Sequence, residues 1–225
     1  MKTRIIAALG AVGLVSVLAG GTGWATDAVY SVNYAGFVQV TIDSKEWALM
    51  TNPFDAFPGE DVSFTTAVGE QIGTGTAFRW DGAGQSWLQS IKLPGFWLGD
   101  DPNATKRGTG FWLYNGDAAP AVVMIAGQVP ADATTGVAVG APSALIANPW
   151  PANFDPTADA VLGAAPIGTS IYQWDGAAQA WTSTVNIGLW LPSPFAIPAG
   201  SGFWYLRPQG SGAFTWTSAK PYAEP

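Results

Sequence analysis

The sequence reads Trp80-Asp81-Gly82-Ala83-Gly84-Gln85-Ser86-Trp87 in its first half and Trp174-Asp175-Gly176-Ala177-Ala178-Gln179-Ala180-Trp181 in its second. Both copies place Asp-Gly between short apolar segments, and these residues tolerate the left-handed backbone that a tight hairpin turn requires. The copies lie roughly 95 residues apart, a spacing typical of a small repeated domain. The chain therefore contains a duplicated module built on β-hairpins.

Two further motifs recur in the same order. Ala48-Leu49-Met50-Thr51-Asn52-Pro53 returns as Ala144-Leu145-Ile146-Ala147-Asn148-Pro149, and Gly108-Thr109-Gly110-Phe111-Trp112-Leu113 returns as Gly200-Ser201-Gly202-Phe203-Trp204-Tyr205. Short alternating segments separated by Gly, Pro and Asp are typical of all-β proteins. We predict an all-β fold of two tandem antiparallel β-sandwich or barrel-like repeats packed together, at residues 36–130 and 131–225, with one short helical turn at 157–162.

The first 25 residues have the pattern of a signal peptide. Lys2 and Arg4 precede an apolar stretch, and small residues lead to an expected cleavage site before Thr26. We therefore expect an exported protein with no transmembrane segment after cleavage. Residues 26–35 form an N-terminal extension outside the repeats. In this extension an alternating pattern predicts an assembly strand that pairs with a sheet edge in the same molecule or in a neighbour, through Val29, Tyr30, Val32 and Tyr34.

Composition excludes several functions. The formal net charge of −7 disfavours binding to nucleic acid and to anionic membranes. Cysteine and histidine are absent, so disulfides, thiolate catalysis and imidazole chemistry are excluded. What remains is catalysis by paired carboxylates on glycans. However, Asp81 and Asp175 read as turn residues, and we predict that the protein is not an enzyme, with a glycan-cleaving enzyme as a minor alternative.

One acidic loop has the residue types of a calcium site. Asp100, Asp101 and Asn103 carry oxygens that calcium prefers, with Asp117 as a further candidate ligand. The alternative is a solvated acidic loop, since the second repeat has Pro192-Ser193-Pro194 near the corresponding place. No other cofactor is expected.

Tryptophan is abundant, with 12 residues in the chain. Several tryptophans recur in both repeats, which favours a role in core packing: Trp80 with Trp174, Trp87 with Trp181, Trp97 with Trp190, and Trp112 with Trp204. The unpaired Trp47, Trp150 and Trp216 are then the better candidates for exposure. In variable loops, Phe96, Trp97, Trp190 and Phe195 are candidate ligand-binding rings, because flat aromatic faces stack on sugars and anchor protein contacts.

The motifs together resemble a repeat of secreted bacterial surface proteins, of the general form W-N-L-I-x-N-P, then Y-x-W-D-G, then P-G-x-G-F-F. The matching segments here are Trp47 to Pro53, Phe78 to Gly82 and Gly110 to Trp112, with a second copy downstream. The resemblance covers nearly the whole chain after the signal peptide. It implies a β-rich accessory or surface module that is extracellular, at the cell surface or periplasmic.

These observations lead to two functional hypotheses. The first is a secreted, non-catalytic structural or surface protein that acts through contacts with itself or with other extracellular proteins, for example by assembling into a layer, fibre or coat. The alternative is a carbohydrate-binding module that uses loop aromatics on a polysaccharide.

Overall fold

The computed structural model describes residues 35–222, and the predicted signal peptide and assembly strand lie outside these residues. The first unit contains seven strands and one helical turn. In chain order they are β1 (Ala35–Ile42), β2 (Trp47–Met50), α1 (Phe64–Ala67), β3 (Gly75–Asp81), β4 (Ser86–Leu93), β5 (Phe96–Leu98), β6 (Phe111–Asn115) and β7 (Ala121–Gln128).

The second unit repeats the seven strands. They are β8 (Thr134–Val139), β9 (Ser143–Ala147), β10 (Ser170–Asp175), β11 (Ala180–Asn186), β12 (Trp190–Leu191), β13 (Gly202–Leu206) and β14 (Phe214–Ala219). The predicted repeat boundary at 130/131 falls in the connection between β7 and β8. No helix in the described part of the chain is long and apolar enough to cross a membrane.

Each unit has the same sheet topology. A five-stranded antiparallel sheet has the order β2-β6-β3-β4-β5 in the first unit and β9-β13-β10-β11-β12 in the second. A two-stranded antiparallel ribbon, β1 with β7 or β8 with β14, packs over one face of that sheet. The predicted all-β class, with two antiparallel sandwich-like repeats packed together, is confirmed.

The cores lie between each ribbon and its sheet, because strand side chains alternate between two faces. In β7 the residues Val123 and Ile125 are buried and their neighbours are exposed. In the first unit they pack in the same cluster as Met50 and Phe111 from the sheet. Complete burial of one such side chain stabilises the fold by about 1.5–3 kcal/mol.

The single helix in the described residues is not the predicted one. The Ser63 side chain caps α1 by accepting from the Thr66 N–H, and the Asp100 carboxylate accepts from Phe64 N at 2.8 Å. Residues 157–162 form turns instead, in which Asp159 Oδ1 accepts from the N–H groups of Val161 and Leu162. Such side-chain bonds offer the backbone an alternative to a helical ladder.

The two units are joined by reciprocal hydrogen bonds. Thr51 N donates to Gly200 O at 2.9 Å, and the equivalent Ala147 N donates to Gly108 O at 3.0 Å. The strand bridges beside them, Met50 with Ser201 and Thr109 with Ile146, are equivalent in the same way. Since each contact occurs twice with the units exchanged, the interface has the pattern of a two-fold isologous contact within one chain.

This interface explains the repeated motif Gly-Thr-Gly-Phe-Trp or Gly-Ser-Gly-Phe-Trp. The second glycines, Gly110 and Gly202, meet across the interface, where a Cβ on Gly202 would lie 3.2 Å from Gly110 Cα. The first glycine of the second copy, Gly200, has φ of +78° and lies against Val38 of the other unit. The following Phe111 and Phe203 enter the cores, and the tryptophans after them point to the opposite face.

Candidate functional site: an aromatic face shared by both units

The sheet faces that point away from the ribbons carry aromatic side chains. In β6, Phe111 and Leu113 are buried in the core, while Trp112 and Tyr114 alternate to the outside. The register carries this face across the sheet, since Trp112 pairs with Phe78 and Trp80 pairs with Trp87. Both faces of these strands are therefore apolar, with only one of them covered by a ribbon.

The second unit has the same arrangement on β10, β11 and β13. We call the combined surface the aromatic face, and its ring residues are Trp47, Phe78, Trp80, Trp87, Trp112, Tyr114, Tyr172, Trp174, Trp181 and Trp204.

Tryptophans of one unit pack against tryptophans of the other. Trp112 lies edge to face with Trp174 and Trp181, at ring-centroid distances of 5.2 and 5.6 Å. The equivalent Trp204 lies edge to face with Trp80 and Trp87, at 5.2 and 5.7 Å. Edge-to-face packing is favoured by the ring quadrupole and adds about 0.5–1.5 kcal/mol per pair beyond burial. The aromatic face is therefore continuous from one unit to the other.

A glutamine in each hairpin turn holds the two halves together. Gln179 Nε2 donates to Trp47 O at 2.9 Å, and Gln179 Oε1 accepts from Trp47 N at 3.2 Å. Gln85 reaches the other unit in the equivalent way, with Nε2 donating to Ser143 O at 3.0 Å. Both glutamines have positive φ, near +48°. The side chain thus replaces the hydrogen bonds that a neighbouring strand would make to Trp47.

Two indole N–H groups fix ring orientation across the interface. Trp174 Nε1 donates to Trp47 O at 3.1 Å, and Trp80 Nε1 donates to Ser143 O at 3.4 Å. These bonds and the edge-to-face contacts restrict the rings before any ligand binds. Such preorganisation lowers the entropic cost of association.

The aromatic face contains two grooves. The larger, of about 430 Å³, is lined by Trp47, Phe78, Trp87, Trp112, Trp174 and Trp181. The smaller, of about 340 Å³, is lined by Ser143, Tyr172, Trp181, Trp204 and Leu206. The difference comes from one position, because Trp47 in the first unit corresponds to Ser143 in the second.

The outermost rings are the most accessible. Trp87 and Trp181 are 44% and 43% exposed, although both are large apolar side chains. Neither groove is lined by a charged residue. The arrangement offers apolar area, ring edges and ring faces, which suit non-covalent recognition.

Three of the four predicted ligand-binding rings are buried, so their predicted exposure is wrong. Trp97 and Trp190 are each 7% exposed, and Phe195 is 8% exposed. Trp97 stacks on Phe64 with ring centroids 5.2 Å apart, and Trp190 Nε1 donates to Gly163 O at 2.9 Å. Phe96 is 52% exposed. It lies on β5, beyond the residues that line the grooves.

The expectation for repeated and unpaired tryptophans fails at several positions, although the repeated Trp97 and Trp190 are buried as expected. The unpaired Trp150 and Trp216 are completely buried in the second unit. The repeated Trp87 and Trp181 are exposed, and Trp112 and Trp204 are half-buried. For these exposed and half-buried rings, repetition reflects the contact between units, because the rings meet in equivalent pairs across a two-fold interface. The signal available in the sequence was the run Phe111-Trp112-Leu113-Tyr114, in which both alternating sets of side chains are apolar or aromatic. Only one of the two sets can face the core of the unit, so the other set must lie on the outer face of the sheet.

The predicted calcium ligands bond to protein groups. Asp100 accepts from the N–H groups of Phe64 and Thr65, at 2.8 Å each. Asp101 pairs with Arg79 and accepts from Asn103 N. Within residues 35–222, no group of three or more acidic side chains is placed to hold a metal ion. Calcium binding by Asp100, Asp101 and Asn103 stays a prediction.

Comparison with known proteins finds no match to any family model, curated protein or solved structure. The resemblance to repeats of secreted surface proteins therefore stays a prediction, and the geometry of the aromatic face is the basis for inferring function.

Proposed function

We propose that this protein is a non-catalytic binding protein that acts through protein-protein contact at the aromatic face. The observation that carries the proposal is the concentration of seven tryptophans in one uncharged surface to which both units contribute. Tryptophan and tyrosine dominate the residues that supply most of the energy of protein interfaces. A groove lined by six rings favours an apolar partner segment.

The lining also favours binding over catalysis. The larger groove is formed by indole and phenyl rings, which supply no general acid, general base or nucleophile. Rings held by hydrogen bonds and by one another lose little side-chain entropy on binding. The proposal places the protein outside the cell, as the predicted signal peptide implies.

The test is site-specific photo-cross-linking in the cells that produce the protein. Gln89 is exposed and pairs with Phe78 on the same outward face, so a photoreactive residue there samples the larger groove. We expect a discrete cross-linked protein product that disappears when Trp87 is changed to Ala. The matched control places the same photoreactive residue at Met124, which is exposed on β7. Equal products at both positions, or none at Gln89, would contradict the proposal.

A second function, carbohydrate binding, is favoured by the smaller groove. Its lining combines the rings of Trp181 and Trp204 with the hydroxyl groups of Ser143 and Tyr172. Sugars are bound by stacking on rings together with hydrogen bonds to hydroxyls. Titration with a panel of soluble glycans should then change tryptophan fluorescence in the native chain. The change should be lost in Trp181→Ala and kept in Phe96→Ala, and a flat response across the panel would argue against this function.

Self-assembly into a layer, fibre or coat is the form of protein contact that we propose first. The partner is then a second copy, and the mass in solution should rise with concentration. Light scattering on the native chain and on Trp87→Ala measures this. A native chain of constant monomeric mass would leave another extracellular protein as the partner.

A further inference from the structure

The ribbon strands β7 and β14 have different outer edges. In an antiparallel pair, alternate residues turn their N–H and C=O groups away from the partner strand. For β7 with β1, Met124 and Gln128 turn outward, and Gln128 exchanges two hydrogen bonds with Asp55. In β14, Lys220 N donates to Ala133 O, so the N–H of Lys220 points toward β8. Residues at odd numbers turn their backbone groups the other way, and Thr215 and Thr217 therefore turn outward.

The first unit closes its edge with a side chain. Gln71 Oε1 accepts from Met124 N at 2.6 Å, and Gln71 Nε2 donates to Met124 O at 3.0 Å. These are the two hydrogen bonds that another strand would make to Met124. An exposed edge without such protection is a template for pairing.

The second unit has no equivalent protection. The residue that corresponds to Gln71 is Pro166, which precedes the repeated Ile-Gly-Thr and carries no side-chain amide. Among the described residues, no hydrogen bond engages the outward N–H or C=O of Thr215 or Thr217. Both threonines are exposed. The outer edge of β14 is therefore open to a further strand.

We propose that residues 29–34 add as a strand to the outer edge of β14. These residues lie outside the described part of the chain, and their sequence Val-Tyr-Ser-Val-Asn-Tyr is rich in residues that favour strands. Six residues span about 20 Å when extended, which matches the six residues of β14. This edge is a second interaction site, and it does not depend on the aromatic face.

The position of the segment supports this occupant. It joins β1 at Ala35, which pairs with Gln128 at the end of β7. A short connection leads from there to β8, and Lys220 N at the end of β14 donates to Ala133 O in that connection. The segment is thus attached at the same end of the molecule as the end of β14. A segment of the same chain would run parallel to β14 and would use its last residues as the connection to Ala35. A segment of a second copy has no such connection, so all six residues are free to pair, in the antiparallel direction as well.

Disulfide trapping in the full chain tests the proposal, because the native chain has no cysteine. Val32→Cys is combined with Thr215→Cys or with Thr217→Cys, and mild oxidation is followed by mass analysis. We expect a disulfide in at least one pair, within one chain or between two chains, and both results support docking at β14. The matched control combines Val32→Cys with Met124→Cys, at the edge that Gln71 closes. Trapping no faster than in this control would overturn the proposal.

Amide hydrogen exchange on the native full chain tests the docking of the strand without any substitution. A docked strand protects the outward Thr217 N–H, which otherwise exchanges freely, whereas the inward Trp216 N–H is protected in either case. Exchange at Thr217 as fast as at an exposed loop amide would also overturn the proposal.

Discussion

The two units share their outward tryptophans but fill their interiors differently. Trp112 and Trp204 occupy equivalent positions and make equivalent contacts across the interface. Inside, the first unit buries Lys92, whereas the second has Asn186 at the corresponding place. The tryptophans that meet across the interface are the same in both units, because each of these ring contacts is made twice. Each core needs only to fill its own volume, so its residues are free to diverge.

The largest expected effect comes from the unpaired core ring of the second unit. Trp150 is completely buried, and its Nε1 donates to Ser218 Oγ at 2.9 Å. Trp150→Ala should lower the free energy of unfolding by about 3–5 kcal/mol, since it leaves a large cavity and an unpaired hydroxyl. Phe54→Ala, at the equivalent place in the first unit, should cost about as much. Denaturant unfolding measures both, and a larger loss in the exposed Trp181→Ala would contradict the distinction between core and face.

The next largest effect is expected at a buried charge that is present in the first unit and absent at the corresponding position of the second. The Lys92 side chain is completely buried, and its Nζ lies 2.8 Å from a carboxylate oxygen of Glu70. Glu70→Gln leaves the ammonium buried without its counter-charge and should destabilise the fold by about 2 kcal/mol. Lys92→Met should change stability by less than about 1 kcal/mol, because an apolar side chain of similar length fills the same space.

The second unit provides the control for this pair, because its residue at the position of Lys92 is the uncharged Asn186. Asn186 Nδ2 donates to Ala165 O at 2.7 Å without any ion pair. Added salt should therefore narrow the stability gap between the native chain and Glu70→Gln and leave the effect of Asn186→Ala unchanged. If Lys92→Met proved more damaging than Glu70→Gln, the ion pair would be a source of stability rather than a compensation for burial.

The turn glutamines allow a smaller comparison within the interface. Gln179 has a positive φ, which costs a non-glycine residue about 1 kcal/mol. Both Gln179→Ala and Gln179→Gly lose the hydrogen bonds to Trp47, but only glycine relieves the backbone strain. Thermal unfolding should therefore show Gln179→Gly as the milder change by about 1 kcal/mol. The reverse order, which is usual in strands and helices, would show that the left-handed backbone is not maintained.

The smallest expected effect is a pH dependence confined to the first unit. The hydrogen bond from the Gly73 N–H holds the pKa of Asp117 below its ordinary value of 3.8. Its contribution is fully present above pH 3.8 and is lost as the pH falls through the lower pKa of the folded state. Asp117→Asn should therefore make acid unfolding less steep below pH 4. Burial raises the pKa of Asp55, so protonation of this group offsets part of the loss of stability in acid. Asp55→Asn should therefore make acid unfolding steeper.

Part of the architecture was predictable from the sequence. The period-2 patterns located most of the strands, and Asp81-Gly82 marked the turn that joins β3 to β4. The strands β5, β8 and β12 were not predicted. Strands β5 and β12 have only three and two residues, which is too few to show an alternation. The helical turn was placed at 157–162, where aspartate side chains bond to the backbone and favour turns.

The candidate site was harder to predict. Trp97 and Trp190 lie next to loop residues in the sequence, but the packing of each unit draws them inward. Conversely, Trp87 and Trp181 have the pattern of core residues and are exposed, because the second face of each sheet has no ribbon over it.

The duplication, the antiparallel strands and the alternation of side chains along each strand all follow from the order of the residues. These are local properties, since the period of a strand and the needs of a turn depend on adjacent residues. Which of the two apolar faces forms the core, and which residues of the two units meet, depends instead on how the whole chain packs. Burial of a face depends on what packs over it, and the partners here are separated by more than a hundred residues, as Trp47 and Gln179 are.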